Sequence, residues 1–526
     1  MTTSSNDFRL APPPSSIWKE GVEIPSFEPL SRDLAVDTAI VGGGITGLTL
    51  AVLLASEGQE VALVERARLG SGTTGHTTAH ATVALDVPWS TLADRLGAER
   101  AAIVAQSVRR SIDEIERHAR GIDVDCGVRR LPGFRFTEHA SELADLDREA
   151  DVATRLGLDV KRVSSLPIRV PSEGALRFEA QADFHPLRYL AGLARSLADS
   201  RVSVFEQSPV TGVEDHAVTV AGSHRIQATH VVDATHTPSG RVPSVHAQLT
   251  ARTSYVLVAR LVQPIEPGLY WDTADPYHYV RTLPDRPDLV LVGGEDHRTG
   301  VEPHPTHRLQ HLAAWTRQRF DVRSIEGCWS HELFEPADGL PLIGATVGAT
   351  TRLVAAGYSG TGMTFGTVAA LLLCDLVLRG TSPWEEVYSP RRVGGASGAA
   401  RIVGEQAHVG WHFLADRLRK GRGEHLRDLA LDSGRVVRID GQPLAVYRDV
   451  GGSLHFRSAR CTHLGCIVAW NDLEKTWDCP CHGGRFHRTG KVMYGPPPTD
   501  LADAAAPPLA DTEPAERGER GERGPT

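Results

Sequence analysis

Positive charge is in deficit in this chain: 56 Lys and Arg face 65 Asp and Glu, a formal net charge of −9 at pH 7. That balance excludes the electrostatic footprint of a nucleic-acid binder and leaves a basic partner or a neutral small molecule as the better fit. Long apolar runs are missing too. The longest helix-like one, VAALLLCDLVL at 368–378, is short for a bilayer and carries Asp375. The start, MTTSSNDFRLAPPPSS, has neither an apolar signal core nor twin arginines, so a cytoplasmic protein without a membrane span is expected. Cysteine is scarce, and three of the seven, Cys126, Cys328 and Cys374, lie singly in apolar or helical surroundings. Buried, inert thiols rather than disulfides are expected there.

What is present is organised in blocks. A chain of 526 residues exceeds one hydrophobic core, so two or three domains are expected. A Pro- and Ser-rich extension occupies 1–34. From 35 to 390, helical periodicity alternates with short β-branched runs, as in a parallel nucleotide-binding sheet interrupted by a second, partly antiparallel one. A linker follows at 391–433, in which GGASGAA reads as flexible and ARIVGEQAHVGWHFLADRLRKG as an amphipathic helix. Short strands with turn signals then define a small β domain at 434–505. The end, 506–526, contains the near repeat ERGERGERG and no apolar pattern, and reads as a disordered tail.

Two stretches carry chemistry. In VDTAIVGGGITGLTLAVLLASEGQEVALVER, Gly42, Gly44 and Gly47 form GxGxxG between a strand and a helix, and Glu65 closes the next strand eighteen residues later. The first glycine permits the tight turn, the second lets backbone approach a pyrophosphate, and the third lets helix and strand pack, while Glu65 would accept a ribose hydroxyl. In the second stretch, Cys461 and His463 are followed after fifteen residues by Cys479 and His482. A structural zinc ion would accept these donors, but two matching Cys/His loops are the arrangement of a Rieske [2Fe-2S] centre, with thiolates on one iron and imidazoles on the other.

The order of RLGSGTTGHTTAH after Glu65, THVVDATHTP at 229–238, DGLPLIGAT and AAGYSGTGMTFGTVAA resembles the D-amino-acid oxidase superfamily, in particular its glycine oxidase and sarcosine oxidase-like members, over about 36–390. The resemblance implies FAD rather than NAD. It implies that Gly72, Thr73 and Thr74 approach the flavin and its pyrophosphate, that Val210 holds the adenine through its backbone, and that Gly357, Gly362 and Met363 line the flavin. His76 stands in a stretch similar to one that in sarcosine and dimethylglycine dehydrogenases, with an aromatic residue in place of Gly75, bonds a histidine covalently to the flavin. A non-covalent flavin or phosphate contact is the alternative.

CTHLGC and CPCHG closely resemble the Rieske proteins of cytochrome bc complexes, which implies a disulfide between Cys466 and Cys481. Gly484 and Phe486 depart from that family, whose high-potential members carry Ser and Tyr there. Without those hydroxyls bonding to cluster sulfur, a lower potential is implied.

The whole chain resembles a bacterial family of FAD-dependent oxidoreductases with a C-terminal Rieske domain. This implies an α/β FAD-binding Rossmann-like domain with an inserted mixed-sheet substrate domain, followed by an all-β Rieske domain. It also implies an enzyme that oxidises a small amine or amino acid and passes electrons singly from FAD through the [2Fe-2S] cluster to an external acceptor. The alternatives are flow from an outside reductase through the cluster to the flavin, for a reductive or oxygenase reaction, or a non-catalytic shuttle. A mononuclear iron site is not visible: His304, His307 and His311 read as a helix start with Thr306 as N-cap. Arg252, Tyr255 and Tyr358 are candidates for substrate contact, each equally readable as packing.

Overall fold

The computed structural model describes residues 16–220, 224–302, 304–349, 351–392, 395–418 and 426–506. The expected tail at 506–526, apart from residue 506, and the first fifteen residues lie outside them. One sheet is built on Leu34–Val41, which pairs in parallel with Arg225–Asp233 on one side and Val61–Val64 on the other; Val202–Phe205 and Arg352–Ala356 extend it in parallel. Ala39, Ile40 and all of Val61–Val64 are buried, as a parallel sheet covered on both faces requires. A second, nine-stranded sheet is antiparallel apart from Leu269–Asp272 on Arg129–Thr137. Its long strands Leu249–Leu261, Arg286–Arg298 and Val322–Pro336 lie side by side.

Helix Gly362–Arg379 is long and apolar enough to cross a membrane by composition, yet two thirds of it (67%) is buried, packed against Ile45–Ser56 and Ala98–Gly121. It begins six residues before the apolar run marks it. Thr367 does not break it because its hydroxyl donates back to the Met363 carbonyl at 3.1 Å.

Three local expectations change. The helix at 305 starts with His304 as cap and Pro305 at its first position, not at Thr306, since proline's fixed φ and missing N–H suit that place. The linker helix runs Gly395–Leu418, so residues 395–400 of the glycine-alanine stretch are helical; Glu405 anchors it to Arg298 at 2.8 Å. Part of the N-terminal extension is core: Trp18 is 3% exposed, donates to the Thr77 carbonyl, and lies under the Arg281 guanidinium.

The C-terminal part holds a three-stranded sheet, Ser433–Ile439, Gln442–Arg448 and Leu454–Ser458. Beside it is a four-stranded one: Ala469–Asn471, Thr476–Asp478, Arg485–His487 and Val492–Tyr494. The first ligand loop precedes Ala469–Asn471, and the second connects the two central strands, Thr476–Asp478 and Arg485–His487.

The first crossover depends on one close approach. A Cβ at Gly47 would sit 2.0 Å from the Gly42 carbonyl oxygen, a backbone atom that cannot swing away. Gly47→Ala is expected to destabilise the chain by ~2–3 kcal/mol and to release FAD, read by thermal unfolding and by flavin absorbance after desalting.

Candidate functional site

The strand, turn and helix at 34–56 open onto a groove of about 550 Å³. Gly42 makes the turn with φ +110°, and a Cβ there would meet the Ala234 carbonyl oxygen at 2.5 Å. Gly42, Gly44, Glu65, Gly72, Thr73, Thr74, Val210, Gly362 and Met363 all line the groove. Glu65 holds the glycine turn: its two oxygens accept from the Gly43 N–H at 2.8 Å and the Ala67 N–H at 2.9 Å. Burial raises its carboxyl pKa in spite of those two bonds. Thr74 accepts from the Ile45 N–H at 3.2 Å, tying the second glycine-rich loop to the first helix.

Gly47, Gly357 and His76 are not in the lining. Gly357, at φ +78°, is required by Pro336, 2.7 Å from where its Cβ would stand. The His76 ring is held by the Gly72 carbonyl at 2.9 Å and Lys19 Nζ at 3.3 Å, and burial lowers its pKa to about 4. Tyr358 lines the groove with its hydroxyl on Thr46, whereas Tyr255 is 1% exposed and bonded to His297.

At Gly360 the groove meets a group of acids and tyrosines that no motif announces. The Gly360 N–H donates to Asp86 at 2.6 Å, and a Cβ on Gly360 would stand 2.9 Å from the Tyr277 hydroxyl. The Tyr277 and Tyr279 rings lie 5.8 Å apart, and the Tyr279 hydroxyl is 3.3 Å from Ser254. Arg252, the one sequence candidate here, is bonded to Glu335 at 2.6 Å. Asp86 is exposed, and the protein around its carboxyl withdraws enough water to push it up to about 6. Burial, with Glu335 and Asp86 adding repulsion, pushes Asp296 up to about 7 against the pull of Ser254 and Arg252. The only local signal is Glu295 and Asp296 interrupting an apolar strand.

In the C-terminal part, the loops 461–466 and 479–484 face each other. The structure joins Cys466 to Cys481 (S–S 2.18 Å, Cα–Cα 6.6 Å). The sulfurs of Cys466, Cys479 and Cys481 lie within 4.8 Å of one another, but the disulfide withdraws two of them from metal binding. Left as donors are Cys461 and Cys479, whose side chains touch each other, and the His463 and His482 rings, 5.0 Å apart at 82°. All four are buried. Backbone N–H groups of His463 and Leu464 reach Cys461 sulfur, and those of Cys481 and His482 reach Cys479 sulfur. Desolvation lowers His463 to about 3 and His482 to about 4, so both rings are neutral, as ligands must be. This donor set fits a [2Fe-2S] group. Gly484 is explained by space: a Cβ would meet Pro497 at 2.6 Å and Cys461 sulfur at 3.3 Å. Phe486 is wholly buried.

Groove and cage share a wall. His246 packs edge-on against His463, with centroids 4.8 Å apart, and 6.1 Å from His482. The Gly240 N–H donates to the Pro496 carbonyl at 3.2 Å. Buried Arg485 binds Asp478 and Glu474, and Glu474 also takes the Ser330 hydroxyl. Met493, Tyr494 and Gly495, beyond the second ligand loop, line the nucleotide groove. Sequence reasoning gave no sign of this, because the side chains that meet here come from distant parts of the chain, 144 residues apart for Ser330 and Glu474.

A dinucleotide groove beside a Cys₂His₂ cage is the arrangement of an oxidoreductase with a flavin site and an iron–sulfur site. The model of the FAD dependent oxidoreductase family (DAO) matches residues 37–376, and that of the Rieske [2Fe-2S] domain matches 424–505. The Bacillus subtilis protein YhfW, named as a Rieske 2Fe-2S iron-sulfur protein, is 31% identical over 489 residues, covering 92% of this chain and 96% of its own. The cytochrome b6-f complex iron-sulfur subunit of Nostoc punctiforme is 33% identical over 27% of this chain and 72% of its own. Among solved structures, glycine oxidase from Geobacillus kaustophilus superposes with a TM-score of 0.53 at 21% identity, over 68% of this chain and 99% of that one. L-Amino acid deaminase from Proteus vulgaris gives 0.56 at 14%, over 70% and 99%. The chain therefore belongs to the FAD-dependent oxidoreductase (DAO) family and carries a Rieske domain after it. Its cofactors are FAD and a [2Fe-2S] cluster.

Two outcomes are expected. Replacing His482 with Ala removes the EPR signal of the reduced cluster and leaves FAD bound, read by EPR and flavin absorbance together. For Asp296 the native carboxyl holds its proton up to about pH 7 while the unfolded one releases it near 4, so its contribution to stability falls as pH rises between them. Asp296→Asn is thus expected to raise the melting temperature by ~2 °C at pH 8 and by less at pH 5.

Proposed function

We propose that the protein oxidises a small amine or amino acid at the Gly360 end of the groove and passes the electrons one at a time, through the cluster, to an external acceptor. The observation that carries this reading is the shared wall: His246 lies on both cluster histidines, and Met493–Gly495 line the groove. FAD, when bound, takes two electrons with a hydride, and the cluster carries one at a time.

The chain's own residues supply the setting. The N-terminus of helix Gly362–Arg379 faces the groove and favours negative charge on a reduced ring. His236 and His331 also line it, and burial lowers them to about 4 and 3, so they exclude water without adding charge. Cys461 and Cys479 would hold one iron and His463 and His482 the other. Leu464, 42% exposed in the first ligand loop, brings that side of the cluster to the surface for a one-electron partner. The free thiols of Cys126 and Cys328 fit a cytoplasmic setting. His76, turned toward Gly72 and Lys19, supports a non-covalent flavin.

Anaerobic mixing with amines, N-methyl amino acids and hydroxy acids is expected to bleach the flavin with an amine or amino acid, and the cluster to be reduced after it. Bleaching only by hydroxy acids, or only by NADPH, overturns the substrate or the direction. Acid precipitation is expected to leave the yellow colour in the supernatant; a yellow pellet would mean a covalent bond.

A further inference from the structure

We propose that FAD bridges the two parts of the chain: the strand Val492–Tyr494 of the Rieske domain lies along the groove, and the Tyr494 hydroxyl donates a hydrogen bond to an oxygen in the ADP half of the bound dinucleotide.

Position comes first. Residues 491–495 line the same groove as Gly42, Gly44 and Glu65. One end of this stretch lies by the acid expected to hold the ribose: the Val492 N–H donates to Asp500 at 2.8 Å, and Asp500 is close enough to Arg66, next to Glu65, for their charges to interact. The other end is fixed by the Gly240 N–H, which donates to the Pro496 carbonyl at 3.2 Å. The stretch therefore runs along the groove from the Glu65 end toward the loop after Arg225–Asp233, whose Ala234, Thr235 and Ser239 also line it.

The second observation is a hydroxyl without a partner. Tyr494 lines the groove, and protein encloses its hydroxyl closely enough that desolvation raises its pKa. That hydroxyl makes no hydrogen bond to any described residue. The charges it feels give its place: Arg485 and Glu332 at the seam, and Glu65 on the first sheet. A buried hydroxyl left unpaired is costly, and a dinucleotide in the groove brings ribose and phosphate oxygens that accept from it. Lys491, in the same stretch, forms no ion pair among the described residues and adds positive charge to a wall that meets a dianionic ligand.

The strand does not move alone. Gly495 has φ +85°, and a Cβ there would stand 2.6 Å from the carbonyl oxygen of Gly483, the residue after His482. Arg485 and Phe486, just beyond that loop, pair with Tyr494 and Val492 across the sheet. What holds the strand on FAD thus holds the second ligand loop against the groove. Reciprocity follows: docking of the Rieske domain tightens FAD, and FAD tightens the docking, by the same factor.

The test separates the hydroxyl from the ring. In the full chain loaded with FAD and cluster, FAD release after dilution is followed by the rise in flavin fluorescence. Tyr494→Phe is expected to release FAD about tenfold faster, the loss of one hydrogen bond read in the off-rate. An unchanged EPR signal of the reduced cluster certifies the fold, and a tyrosine that only packs would give wild-type release from this variant. Hydrogen exchange supplies the reciprocal measurement: amides of 485–495 are expected to exchange faster once FAD is removed from the full chain with its cluster retained. Release at the wild-type rate from Tyr494→Phe overturns the proposal, and so does exchange in 485–495 that is the same with and without FAD. Neither result touches the amine-oxidation reading, which stands or falls on bleaching.

Discussion

The contact of His246 with the two cluster histidines is the interaction on which the working arrangement depends. His246 is itself fixed, its Nε2 at the Pro238 carbonyl (3.0 Å) and its Nδ1 accepting from the Val242 N–H (3.3 Å). Both ring nitrogens are therefore occupied, and the ring meets the cluster as a neutral, oriented wedge. Around it, Gly300 lies so close to the second ligand loop that a Cβ would stand 2.8 Å from the Pro480 nitrogen. Buried Arg485 meanwhile neutralises Asp478 and Glu474 at the same seam. Polar groups that would be costly to bury are paired across the boundary, so the seam favours one docking geometry over others.

That seam also explains why groove and cage cannot be treated as separate sites. The turn after the second ligand loop supplies the wall of the nucleotide groove through Met493–Gly495, and Glu332, 3% exposed on the flavin side, packs on Gly483. Each cofactor site thus borrows surface from the other part of the chain. Distances between redox centres are set by this packing rather than by a tether.

The parts legible in the sequence are those whose chemistry demands fixed local spacing. GxGxxG works only where strand, turn and helix are contiguous, and the cage needs its Cys and His two or three residues apart, so both were readable as strings. The one βαβ unit read from the sequence corresponds to the parallel pair Leu34–Val41 and Val61–Val64; the remaining strands come from distant segments. The acids near Gly360 were not readable as a group, because Asp86 and Asp296 are far apart in the sequence and neither stands in a motif. His76 shows the converse: its neighbours resemble a flavin attachment stretch, but Lys19, from the N-terminal extension, and the Gly72 carbonyl orient its ring. A helix start was misplaced where small residues carry little hydrophobic signal, as at Gly395.

Gly484 has a consequence beyond its own loop. Pro497 occupies the space where a side chain at 484 would go, so a serine hydroxyl could reach the cluster sulfur only if the proline loop changed with it. A single mutation to serine would meet a clash before it gained a hydrogen bond. In evolutionary terms the two positions form one character, and a shift to a high-potential cluster has to cross a less stable intermediate. The space around the cluster sulfur is thus set by a pair of residues, one of which lies outside the ligand loops and would escape any search confined to them.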